Sequence, residues 1–151
     1  MRTTEFPMRL TVLMALLLFS SSPALAQDHA GDAGQAAAQG PILGDLLKRP
    51  AYFEAWQALL GSETPPDWVT EYTATLDGPP VPNIPVTIDG HTYTLGFTCK
   101  PNECEDNQLY VLFAPDGSKA WALMATASAG IIWLGYPDER IQTAINGALK
   151  K

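Results

Sequence analysis

Histidine and cysteine are scarce in this 151-residue chain, with two of each. Two cysteines are too few for a disulfide scaffold and enough for one bridge. Cys99, Cys104, His91 and His29 do not have the spacing of a zinc knuckle. Basic residues are also few. Nine Lys and Arg stand against 16 Asp and Glu, a net charge of −7, which excludes a nucleic-acid partner because phosphate binding needs clustered cations. No apolar run approaches the roughly 18 to 20 residues of a membrane span. The G-x-x-x-x-G-K-[ST] phosphate loop is missing. The stretch Thr126-Ala127-Ser128-Ala129-Gly130 lacks the first glycine of a nucleophile elbow. No motif calls for a cofactor or a metal, and none for catalysis, so the chain reads as a non-enzyme.

What is present begins with an export pattern. Arg2 and Arg9 precede an apolar run over residues 10–19, Ser20 and Pro23 break it, and Ala24-Leu25-Ala26 closes it. That is a signal sequence over 1–26, cleaved before Gln27. It places the protein in the periplasm of a Gram-negative bacterium, off the membrane after cleavage. Disulfides persist in that compartment, so pairing of Cys99 with Cys104 is the default expectation. Residues 27–41 are Ala, Gly, Gln and Asp without apolar periodicity and read as a flexible tail carrying His29.

The remaining chain, 42–151, has the composition of a folded domain: 46% of all residues are hydrophobic and 17% charged. Ile42, Leu43, Leu46 and Leu47, then Phe53, Trp56, Leu59 and Leu60, recur at helical spacing, with Pro50 suited to a first turn and Gly61 to a stop. After Pro65-Pro66 the chain reads as strands from Thr70 onward. Ile84, Val86 and Ile88 alternate, and Asp89-Gly90 is a type I′ hairpin signal. Strands follow over 92–99, 109–113, 119–126 and 131–134. Pro137 suits the first position of a last helix whose buried stripe is Ile141, Ile145, Ala148 and Leu149. The class is α+β: a central antiparallel sheet of about five strands flanked by N- and C-terminal helices.

The densest local chemistry is Cys99-Lys100-Pro101-Asn102-Glu103-Cys104. A bridge here staples one strand end to the next and contributes about 2 kcal/mol by loop-closure entropy. The loop interior is polar, proline-stiffened and carries both charges. A closed loop of this kind also suits insertion into a cleft, since little ordering entropy remains to be lost. Spacing alone leaves staple and binding loop open. The acids Glu103, Glu105 and Asp106 read as a solvated face.

At these residues the sequence resembles the Ivy family, inhibitors of vertebrate (C-type) lysozyme, whose loop is C-K-P-H-D-C. Trp133-Leu134-Gly135-Tyr136-Pro137 is similar to the family's W-L-G-x-P, and Pro66-Asp67-Trp68-Val69 is similar too. The resemblance runs from about Ile42 to the C-terminus. It implies a lysozyme or related muramidase as partner, often a homodimer, and an inhibitory loop of Lys100, Pro101, Asn102 and Glu103 that plugs the enzyme's cleft. In the family the loop His meets the catalytic acids. Asn102 stands at that position and Glu103 replaces Asp. An amide still donates two hydrogen bonds but carries no charge, a difference worth roughly 1–3 kcal/mol.

Overall fold

The computed structural model describes residues 40–151. The expected signal sequence (1–26), His29 and all of the expected tail except Gly40 and Pro41 lie outside these residues. Among the described residues four helices and five strands follow one another: α1 (Leu43–Leu47), α2 (Pro50–Gly61), α3 (Asp67–Thr75), β1 (Ile84–Ile88), β2 (His91–Cys99), β3 (Asn107–Phe113), β4 (Ala120–Thr126), β5 (Gly130–Leu134) and α4 (Glu139–Leu149). The strands form one antiparallel sheet in sequence order. Among the described residues no helix is long and apolar enough to cross a membrane.

The period-two alternation of the strands sends side chains to opposite faces, and each face has its own helices. On one face Leu109, Val111, Phe113, Ala120, Ala122 and Met124 pack against the apolar stripes of α1, α2 and α3. On the other, Leu95, Leu112 and Leu123 meet Ile141 and Ile145 of α4. Central strand β3 is therefore buried from both sides, with Leu109, Val111, Leu112 and Phe113 all at 0% exposure.

The largest departure from the sequence reading is α3. Residues 70–75 are helical, not the start of the strands. Three threonines in DWVTEYTAT lower the intrinsic helix preference. Packing overrides it: Trp68, Val69 and Tyr72 lie on one helical face and are buried. Thr73 is also absorbed into the packing. Its hydroxyl donates to the Val69 carbonyl at 2.7 Å and accepts from Trp56 Nε1 at 2.9 Å. The Trp56 and Tyr72 rings meet edge to face, 5.9 Å apart. Burial pushes the Tyr72 phenol well above its ordinary range, and nearby Asp45 adds to the shift.

Other boundaries move by a residue or two. Pro50 does open α2 at its first position, behind Arg49 as N-cap. Pro137 instead lies two residues before α4, and Asp138 is the N-cap. A carboxylate there accepts the orphan amide of Ile141 at 3.0 Å, which a proline at the first position would not provide. The Asp89-Gly90 turn has positive φ at both residues (51° and 79°), as type I′ requires, and Arg140 of α4 pairs with Asp89 across it.

Acid is expected to remove the stability that the carboxylates at two helix starts contribute. The Ile141 amide, then Arg140, hold the Asp138 carboxyl below its ordinary 3.8. Lys48, then the Ile42 amide, do the same for Asp45. A carboxyl depressed in the folded state contributes stability above its unfolded value, and this is lost as pH falls through the folded value. The melting temperature should hold between about pH 7 and pH 5 and fall below about pH 4. Asp138→Asn keeps the cap acceptor without the titration, so thermal melts across pH should show a shallower acid decline for that variant.

Candidate functional site

Strands β2 and β3 end on the six residues between which the sequence places its cysteine pair. Cys99 and Cys104 are joined, with Cα atoms 5.0 Å apart. The bridge closes a turn in which the Glu103 amide donates to the Lys100 carbonyl at 3.1 Å. Pro101 occupies the second position, and Asn102, with φ of 64°, the third. Proline followed by a left-handed residue is the pattern of a type II turn, and asparagine is among the few non-glycine residues that accept that conformation readily. The tip conformation thus rests on Pro101 and Asn102 themselves.

A second layer of bonds holds the turn to the sheet. The Lys100 amide donates to the Asn107 carbonyl at 3.0 Å, and the Asn107 amide returns to the Glu103 carbonyl at 3.1 Å. Lys100 Nζ lies 2.7 Å from Glu103 Oε1, while Asn107 Nδ2 donates to Glu103 Oε2 at 3.4 Å. Glu103 is therefore occupied within the loop. The Ala127 amide donates to the Asp106 carbonyl at 2.8 Å, tying in the β4–β5 turn alongside. Pro101, Asn102 and Glu103 are exposed, whereas Cys99 is buried. The result is an exposed polar turn, cross-linked at its base, with Asn102 at its third position.

A groove of about 560 Å³ runs along one side of this turn. Its other wall is Trp68, Glu71 and Thr75 of α3 with Asp77 and Gly78 beyond it. Gly78 permits the close approach: a Cβ there would lie 2.7 Å from the Tyr72 ring. The sequence reading did not assign this wall to the site. Gly78 and Pro79 are its only turn signal in the sequence, and Glu71 and Thr75 fall where the sequence pattern reads as strand.

The remaining sequence candidates stand apart from the loop. His91 opens β2 at its far end, eight residues or about 26 Å from Cys99 at strand rise, so His91 does not pair with Cys99. Glu105 and Asp106 are exposed. Among the described residues no group of three His, Cys, Asp or Glu is placed to hold a metal ion. The Trp133-Leu134-Gly135-Tyr136-Pro137 motif also lies at the opposite end of the sheet, where Leu134 pairs with Ala122. Leu134 is buried and Trp133 packs against the core on the α4 side, while Tyr136 is 89% exposed. Gly135 has φ of 78°, and a Cβ there would lie 2.7 Å from Leu59 and 3.0 Å from the Ala120 carbonyl.

Comparison with known proteins decides the ancestry. The family described as inhibitor of vertebrate lysozyme (Ivy) matches residues 51–149. The chain belongs to the Ivy family. Among its relatives, the inhibitor of vertebrate lysozyme of Pseudomonas aeruginosa is 34% identical over 120 residues, covering 70% of this chain and 76% of that one. An uncharacterised protein of Yersinia pestis is 31% identical over 127 residues, 76% and 80% of the two chains. A second, uncharacterised Pseudomonas aeruginosa protein is 31% identical over 155 residues, 92% of each. The Ivy match takes in the disulfide loop, both walls of the groove and α4, and leaves out α1.

Proposed function

We propose that this protein is a periplasmic inhibitor of lysozyme that acts by lodging residues 100–103 in the enzyme's active-site cleft. The observation that carries the reading is the exposed turn of an Ivy chain, closed by Cys99–Cys104 and tipped by a left-handed Asn102. A retaining glycosidase holds its two carboxyl groups about 5 Å apart. The Asn102 amide has two N–H donors to offer such a pair, and filling that position excludes the sugar. Because the turn is already closed, little conformational entropy is lost on insertion. An acidic inhibitor is drawn towards a cationic lysozyme, which speeds encounter. Inhibition then needs no chemistry of the inhibitor's own, in keeping with a non-enzyme. The same reading includes a homodimer, which light scattering on the mature chain would reveal.

Lysis of cell walls by a C-type lysozyme, with and without the oxidised chain, tests the proposal. Inhibition at micromolar protein supports it, and none at that concentration rejects C-type lysozyme as the target. Asn102→His is expected to tighten binding about ten- to a hundredfold by adding a charge-assisted hydrogen bond. Histidine also accepts the left-handed region better than most residues, so the turn should survive the change. Titration of the enzyme with both proteins would measure the difference.

The absence of an ionisable group at the tip favours a second reading. The target would then be one of the cell's own lytic transglycosylases, bound without inhibition of C-type lysozyme. Binding to such an enzyme by the wild-type loop, with none to lysozyme, would select it.

A further inference from the structure

The turn brings no net charge to an enzyme's cleft. Lys100 and Glu103 cancel each other within residues 100–103 and are bonded at 2.7 Å, while Asn107 donates to the second oxygen of Glu103 at 3.4 Å. The side-chain bonds of the turn thus run between Lys100, Glu103 and Asn107, and among the described residues none engages the exposed amide of Asn102. Its N–H donors and its carbonyl acceptor are therefore both open to a target. The titratable groups around it are Lys100 and Glu103 in the turn, Glu105 and Asp106 after the bridge, and Glu71, Tyr72 and Asp77 across the groove. None is a histidine, the side chain that ordinarily changes charge between about pH 5 and 8. His91 lies at the far end of β2.

We infer that Asn102 selects the protonation state of the target's acid pair, donating N–H to the ionised carboxylate and accepting, at its carbonyl, the proton of the carboxylic acid. The inference rests on the inhibitor reading above and deepens it. Two ionised carboxylates offer acceptors alone. The Asn102 carbonyl would then be buried among them without a donor, at the cost of a desolvated polar group. A neutral plug would also strip water from two like charges without supplying a cation. Protonation of one carboxyl removes both penalties, because it provides the missing donor and leaves a single charge. A retaining lysozyme works in that state: its general acid sits in an apolar pocket that raises its value to about 6, while the other carboxylate stays ionised. The oxygen and nitrogen of the amide branch from one carbon, so its two bonds leave towards different carboxyl groups. Binding and protonation of the general acid are then linked, and the plug holds best the form of the enzyme that is ready to cleave.

Calorimetric titration of a C-type lysozyme with the full oxidised chain tests the inference. Measured at constant ionic strength between about pH 5 and pH 7, in buffers of different ionisation enthalpy, it reads both affinity and protons exchanged. The melting temperature is expected to hold over this range, so unfolding does not enter. Wild-type affinity should fall about tenfold from pH 5 to pH 7, as the protonated acid is lost around a value of about 6, and binding at pH 7 should take up about one proton. Asn102→Gly keeps the left-handed turn, which glycine favours, and removes the amide. Its binding should be weaker, with the pH dependence and proton uptake largely lost. Wild-type affinity independent of pH, without proton uptake, would overturn the inference. So would an Asn102→Gly variant with the same slope and uptake, because occlusion of the cleft alone would then account for the linkage. Failure of the wild-type chain to bind at any pH would instead reject the inhibitor reading and take this inference with it.

Discussion

Serine at both Cys99 and Cys104 is expected to weaken lysozyme inhibition by on the order of a hundredfold while leaving the sheet folded. The bridge closes six residues, and its loop-entropy contribution to stability is only about 2 kcal/mol. A domain with a typical stability of about 5–15 kcal/mol survives that loss. The binding penalty is larger because it falls on the turn itself. Ordering a freed residue costs about 1–2 kcal/mol, and the four residues from Lys100 to Glu103 would have to be ordered on the enzyme. The Lys100–Glu103 pair and the bonds from Lys100 and Glu103 to Asn107 retain part of the closed shape, which keeps the estimate near a hundredfold. Inhibition constants for the oxidised chain, the reduced chain and the double serine variant would check it, with circular dichroism to confirm the fold. Unchanged inhibition would mean that another surface makes the contact.

Trp56→Ala is expected to cost about 3–5 kcal/mol of stability, the largest effect of any single truncation considered for this protein. Its side chain is fully buried, at 0% exposure, and it joins two helices. It stacks edge-on to Tyr72 and donates to Thr73. Removing it leaves a cavity between α2 and α3 and deletes the donor that Thr73 Oγ1 accepts. Thr73 keeps its bond to the Val69 carbonyl, so the hydroxyl is not orphaned, and cavity formation is the dominant cost. Trp56→Phe refills part of the space without the N–H and should cost less. Urea unfolding followed by circular dichroism would give both values from the shift in midpoint at constant slope.

Much of this architecture was legible in the sequence because its signals are local. Asp89-Gly90 fixes the first hairpin, and Val86 and Ile88 mark the face that β1 buries, although Ile84 at the start of the same alternation is 41% exposed. Ile141 and Ile145 mark the stripe of α4. Six consecutive residues sufficed to locate the projecting loop, with its two cysteines and its proline. What escaped depends on contacts between distant residues. The threonines of α3 argue against a helix until Trp56 and the sheet supply the packing. The groove exists only because residues 68–78 come to lie beside residues 99–104. No periodicity encodes such a juxtaposition.

The loop springs from the ends of β2 and β3, and β3 is covered on both faces. Amide hydrogens in such strands exchange with solvent chiefly when the whole domain opens, whereas most binding loops sit where local opening is easy. Leu109, at the start of β3, is fully buried and pairs with Thr98, the neighbour of Cys99. The projection is therefore mounted on the part of the molecule that opens last. A protease that depends on local fraying would find its entry elsewhere, and the loop should persist for as long as the domain remains folded.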